Sequence, residues 1–242
     1  KCSKLLDLIE GLKIDVLVVT EPGKTDEARR ALVNNCFQDR YYEVLNDIDM
    51  SPTGGLAVIL GNAWACLHKV WKRGPSTKEG NRVTAREFSG TRTGQHHHLL
   101  VIGYYGFAGC TSQATNRPLT EWVKLTIESF RTRYPKAQVI VAGDLNASAD
   151  SYLDTDRKDA VVGVPEPDAH TIKELFDMGL RDPLRHRFPC ERVVTRRTGH
   201  PSTTRGSLRR LDYVLTSGDL ASHPLTRVGV GSHAVFDQDD AD

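Results

Sequence analysis

Gly143-Asp144-Leu145-Asn146 follows directly on the apolar run Val139-Ile140-Val141-Ala142. A short run that is apolar at every position reads as a strand buried on both faces. Gly143 then lets the backbone bend or approach a neighbour. Asp144 and Asn146 emerge where the strand ends, the place where open α/β sheets bind ligands, so a carboxylate and an amide can point into one crevice. Glu21 stands in a similar position, after the apolar run Asp15-Val16-Leu17-Val18-Val19-Thr20 and before Pro22-Gly23. A carboxylate there is either a solvated loop residue or a ligand for a hard cation. Asp144 and Asn146 likewise suit an ordinary Asx turn. The rest of the chain has to decide between these readings.

The elements that must hold these residues can be read in order. Ser3 can cap a helix through Leu5, Leu6, Leu8, Ile9 and Leu12, with Gly11 near its end. A strand then ends at Glu21, and residues 25–35 look helical. Gly54–Leu60, Ala65–Trp71 and Arg82–Phe88 read as strands without intervening helices, which implies antiparallel pairing. His96-His97-His98 precedes the strand Leu99–Ile102, which ends at Tyr104-Tyr105-Gly106. Adjacent strand residues point to opposite faces, so the three histidines cannot converge on one ion, and a polar hairpin turn is expected. Thr120–Tyr134 is expected to be helical, stopped by Pro135, and it leads into the Gly-Asp-Leu-Asn strand. A loop rich in Asp and Pro, a helix near His170–Met178, a strand at Leu211–Leu215 and a last strand near Arg227–Val230 complete the chain.

At 242 residues the sequence fits one large α/β domain, and its 39% hydrophobic and 26% charged content is that of an ordinary globular chain. The net charge of +1 selects no partner, but its distribution is uneven. Arg181, Arg185, Arg187, Arg192, Arg196, Arg197, Arg205, Arg209 and Arg210 crowd one segment against only Asp182 and Glu191. Such a cluster faces a polyanion or solvates a loop. The five cysteines are scattered and odd in number, which indicates neither a zinc site nor a disulfide framework and fits a reducing nuclear or cytoplasmic compartment. No apolar run has the length of a membrane span and no signal peptide is visible, so no membrane partner is expected. The chain opens on Lys1 without a methionine and reads as a piece of a longer protein.

Glu21, Tyr105, Gly143-Asp144-Leu145-Asn146, Arg210-Leu211-Asp212-Tyr213 and the C-terminal Ser232-His233 occur in the order seen in the endonuclease/exonuclease/phosphatase superfamily. The chain resembles that superfamily over nearly its whole length. Thr20-Glu21-Pro22-Gly23-Lys24, Gly143–Ala147 and Arg210–Ser217 look most like the apurinic-like endonuclease domains of non-LTR retrotransposons. The resemblance implies a single domain over residues 1–242 folded as a four-layer α/β sandwich, two mixed β-sheets packed face to face with helices on the outside.

It also implies phosphodiester hydrolysis with Mg²⁺, or Mn²⁺ in its place, and DNA as partner. In that reading Glu21 is the metal ligand, and Asp144 orients and deprotonates the attacking water. Asn146 and Tyr105 contact the phosphate, and His233, supported by Asp212, binds or protonates a phosphoryl oxygen. Arg196, Arg197, Arg205, Arg209 and Arg210 are the expected nucleic-acid-binding residues, and a polyprotein carrying a reverse transcriptase is the expected context.

The sequence departs from the family at three places. The family's N-terminal strand with its Asn is missing ahead of the first helix. The usual Ser-Asp-His reads Gly231-Ser232-His233, and Ala108 stands where apurinic-site nucleases often carry Asn. These departures leave two further readings: a catalytically degenerate nucleic-acid-binding remnant, and a phosphatase or phosphodiesterase acting on a small phosphate ester.

Overall fold

The computed structural model describes residues 7, 9–20, 42–46, 55–61, 67–73, 82–92, 95–108, 112–156, 161–166, 169–197 and 208–223. Strands β1 (Val16–Thr20), β2 (Tyr42–Asn46) and β3 (Leu56–Gly61) form an antiparallel sheet in the order β1-β3-β2. β2 has no counterpart in the sequence reading. The second sheet joins β4 (His68–Arg73), β5 (Val83–Arg92), β6 (Gln95–Tyr104), β7 (Gln138–Asp144), β11 (Asp212–Ser217) and β8 (Leu180–Arg181) in that order. β6 and β7 run parallel and every other pair in the second sheet is antiparallel, so this sheet is mixed.

Alternation along β6 and β7 explains the layers. Leu100, Ile102, Tyr104, Val139 and Val141 face one way and pack with Leu119, Val123, Ile127 and Phe130 of helix α1 (Ser112–Arg133). Helix α2 (His170–Asp177) adds Ile172 and Leu175 to the same core. Leu99, Val101 and Ile140 face the other way and meet Val16, Val18, Val58 and Leu60 of the first sheet. A strand sandwiched between a helix layer and a second sheet must be apolar on both faces, which is why β7 reads as a continuous apolar run. The sandwich of two packed sheets with helices outside, expected from the resemblance, is thus borne out; among the described residues only the second sheet is mixed, the first being antiparallel.

Two local expectations fail. His96, His97 and His98 do not form a turn; they lie inside β6, opposite Thr91, Gly90 and Ser89. The β5–β6 hairpin is simply longer than its apolar part, and the His98 ring stacks on Tyr134 at 3.7 Å. Helix α1 begins at Ser112 rather than Thr120 and runs through Pro118. Its first turns are held from outside: Asn116 Oδ1 accepts from Phe107 N at 2.7 Å and its amide donates to Phe107 O at 3.1 Å. The expected helix at 25–35 and strand at 227–230 lie outside the described residues, as do four of the five cysteines. Cys190 is free and exposed. Among the described residues no helix is long and apolar enough to cross a membrane.

Candidate active site

β7 ends at Asp144 and β11 begins at Asp212, and the antiparallel register sets these two residues directly opposite each other. Directly opposed residues in an antiparallel pair point to the same face. That face looks toward the first sheet, since Ile140 of the same alternating set packs there. Like charges so placed repel. Asp144 is buried while Asp212 is exposed.

The backbone around Asp144 is unusual at two positions. Gly143 has φ +138°, and a Cβ there would sit 2.1 Å from the carbonyl oxygen of Tyr104. Only glycine lets β6 and β7 close so tightly, as the sequence suggested. Asn146 has φ +50°, the left-handed region that a side chain enters at a cost, Asn more readily than most. Its N–H donates to Asp144 Oδ1 at 2.8 Å and its side-chain amide donates to Gly106 O at 2.9 Å. Strain held by surrounding bonds concentrates at functional sites. Gly106 N in turn donates to Asp144 O at 2.7 Å. Tyr105, one residue beyond β6, is buried beside this junction. The structure therefore brings Asp144, Asn146 and the Tyr105-Gly106 backbone together, with Asp212 across the ladder.

Glu21, His233 and Arg205 lie outside the described residues. Thr20, the last residue of β1, lines a cleft of about 550 Å³ together with Gly143, Thr195, Arg210 and Asp212. Asp144, Asn146 and Asp212 offer oxygen donors only, which suits a hard divalent cation such as Mg²⁺. Among the described residues no three His, Cys, Asp or Glu side chains gather as a metal site.

The arginine-rich segment divides into separate roles. Arg210 is buried, and its guanidinium donates to both Asp182 oxygens at 2.6 and 3.1 Å and lies 3.6 Å from Asp154. Burial opposes its charge, but the Asp182 bonds and charge outweigh that and raise its pKa above the ordinary value. It cannot meet a DNA backbone, and the expectation for Arg210 is corrected: it ties helix α3 (Pro183–Arg187), whose N-cap is Asp182, to the start of β11. Arg185 pairs with Asp154 at 2.7 Å, and Arg192 donates to Tyr152 O at 2.9 Å. These arginines build the scaffold and do not form one polyanion-facing surface.

Arg209 is half-buried, donating to Ser148 Oγ at 3.2 Å and standing 3.8 Å from Glu166. It belongs to the short strand pair β9 (Arg196–Arg197) and β10 (Leu208–Arg209), in which Arg196 opposes Arg209. Thr195, just before β9, uses its hydroxyl oxygen to accept from Leu211 N and Asp212 N at 3.0 and 3.2 Å. The basic strand pair is thereby joined to Asp212.

Sequence reasoning does not reach Thr195, Asn116, Asp182 or Arg82. Thr195, Asn116 and Arg82 act through contacts with residues distant in the chain, and Asp182, besides capping α3 locally, meets Arg210 from 28 residues away.

A model of the Endonuclease/Exonuclease/phosphatase family matches residues 3–234. Solved structures superpose over most of the chain. An AP endonuclease, LMAP, from Leishmania major does so with a TM-score of 0.66 and 19% identity, covering 92% of this chain and 75% of its own. An AP endonuclease from Archaeoglobus fulgidus gives 0.60 and 18%, covering 91% and 82%. The endonuclease domain of TRAS1, a telomere-specific non-LTR retrotransposon, gives 0.57 and 16%, covering 90% and 80%. At such identities the likeness establishes a shared fold. No curated protein matches the chain by sequence.

Proposed function

Because the chain belongs to the endonuclease/exonuclease/phosphatase family, we propose that it is a Mg²⁺-dependent endonuclease that nicks DNA for a retrotransposon, within a polyprotein that also carries a reverse transcriptase. The observation that carries this reading is the buried, left-handed Asn146, locked to Asp144 and Gly106 with Asp212 across the ladder. An Asx turn alone leaves its Asn amide uncommitted, whereas here it is tied to Gly106 O, forty residues away in the chain.

Phosphodiester hydrolysis adds water to phosphorus and breaks the bond to one ester oxygen, and the proton lost by the water must be accepted. Asp144 takes that proton, its orientation set by the Asn146 N–H bond. Asn146 spends one amide hydrogen on Gly106 O, which turns the other toward the phosphate. Tyr105 contacts a non-bridging oxygen. His233, supported by Asp212, binds or protonates a phosphoryl oxygen. Glu21, the next residue in sequence after β1, would hold Mg²⁺, or Mn²⁺, whose charge would neutralise the phosphate as negative charge builds on it. Arg196, Arg197 and Arg209, on the strand pair joined to Asp212, together with Arg205 supply the backbone-binding surface.

Asp144→Asn tests the assignment. Asparagine keeps an oxygen to accept the Asn146 N–H, so the fold and DNA binding persist while proton transfer is lost. Nicking of supercoiled plasmid should fall by about 10²- to 10⁴-fold at saturating Mg²⁺, with gel-shift affinity unchanged. Equal nicking by variant and parent would refute the role.

A further inference from the structure

We propose that Arg82 is a positioning residue of this site, holding the Tyr105-Gly106-Phe107 turn so that Asn146 and Tyr105 face the substrate; this rests on the endonuclease reading above. Arg82 lies immediately before β5. Its carbonyl accepts from Tyr105 N at 2.7 Å, carrying the β5–β6 pairing one residue past Val83 and Tyr104. Its guanidinium carbon lies 4.2 Å from the centre of the Tyr105 ring and 3.9 Å from that of Phe107. A planar cation between two ring faces fixes both rings.

The same group reaches the backbone. Arg82 Nη1 donates to Gly106 O at 3.0 Å and lies 3.4 Å from Tyr105 O. Gly106 O is also the acceptor for the Asn146 side chain at 2.9 Å. One carbonyl thus receives a charged donor from the residue before β5 and the amide of the strained residue after β7. Gly106 N completes the connection by donating to Asp144 O. Asn116 grips Phe107 N and O from the helix side. The turn is therefore pinned on three sides, and Arg82 is the member that touches both Tyr105 and the acceptor of Asn146. Its Nη1 is committed to backbone carbonyls of the turn.

The distinction is measurable. In Arg82→Met, which keeps the stem but not the donors or charge, kcat for plasmid nicking should fall about 10- to 100-fold with KM within about twofold, the scale expected for a catalytic group displaced by about an ångström. Arg82→Lys keeps one charged donor for Gly106 O and should recover kcat to within about tenfold of the parent. Independently of activity, the side-chain amide hydrogens of Asn146, observed by ¹⁵N NMR, should exchange with water at least about tenfold faster in Arg82→Met than in the parent. Thermal melts identify the folded variants, and Arg82→Leu carries both readouts if the methionine variant does not fold. Unchanged Asn146 exchange in a folded methionine or leucine variant overturns the proposal. So does a raised KM at parental kcat, which would make Arg82 a substrate-binding group. If the parent itself does not nick DNA, the endonuclease reading falls, and the exchange experiment still decides the placement of Asn146.

Discussion

Gly106→Ala puts the tightest contact of the site under test. A Cβ at Gly106 would stand 2.3 Å from the carbonyl oxygen of Leu145 and 2.8 Å from its carbonyl carbon. Real Cβ atoms stay beyond 3.0 Å of such neighbours, so the ends of β6 and β7 must part by roughly 0.7 Å. Both obstructing atoms are backbone, and no side chain can swing away to relieve them. The separation stretches Gly106 N to Asp144 O, now 2.7 Å, and Asn146 Nδ2 to Gly106 O, now 2.9 Å, toward or past hydrogen-bonding range.

Overpacking costs about 1–3 kcal/mol and each weakened bond about 1 kcal/mol. The stiffer unfolded chain returns about 0.4–1 kcal/mol. A net loss of about 2–4 kcal/mol follows, or roughly 5–15 °C in Tm for a domain of this size. Because Asn146 moves with the turn, nicking per folded molecule should also fall by about 10²-fold. Urea titration gives the first quantity. Plasmid nicking well below the variant's Tm gives the second. Parental stability would mean that the close approach does not exist in solution. Lost stability with parental nicking would mean that Asn146 has no role in the reaction.

Three other outcomes are expected. Replacing Arg196 and Arg197 together by Gln should weaken DNA binding about equally on unrelated sequences and reduce the slope of log affinity against log salt by roughly one per lost phosphate contact; an unchanged slope in filter binding would assign them to a solvated strand pair. Asp182→Ala strands the buried Arg210 beside Asp154 alone and removes the N-cap of α3, whose Leu184 and Arg185 N–H groups it accepts at 3.0 and 3.2 Å. Chemical denaturation should report a loss of about 3–5 kcal/mol, and a loss below about 1 kcal/mol would show that the ion pair contributes little. Ser232→Asp should lower the Mg²⁺ concentration for half-maximal nicking while DNA affinity stays the same, because Mg²⁺ affinity depends on carboxylate charge; an unaltered metal requirement would place the missing family Asp elsewhere in register.

What the sequence determined by itself is local or periodic. β7 is legible because burial on both faces demands apolar residues without alternation, and Gly143 because a bulkier residue would strike the Tyr104 carbonyl. Asp144 and Asn146 are legible because they leave the strand two residues apart, and their Asx bond is made between near neighbours. The order of motifs along the chain was enough to indicate the family and its sandwich.

What only the tertiary structure decided involves partners far apart in the chain. Arg210 looks like its neighbours in an arginine-rich segment. It becomes a buried structural cation only because Asp182 and Asp154 are brought to it from 28 and 56 residues away. The histidines read as a turn because polarity alone does not reveal that β5 continues far enough to pair with them. Helix α1 starts early because Asn116 finds the Phe107 backbone. Arg82 gains its place at the site because the β5–β6 pairing delivers it to Gly106, 24 residues on. Spacing in sequence encodes which faces are apolar and where strands end. Which charge is neutralised, and which carbonyl two donors share, is settled by the packing of strands against one another.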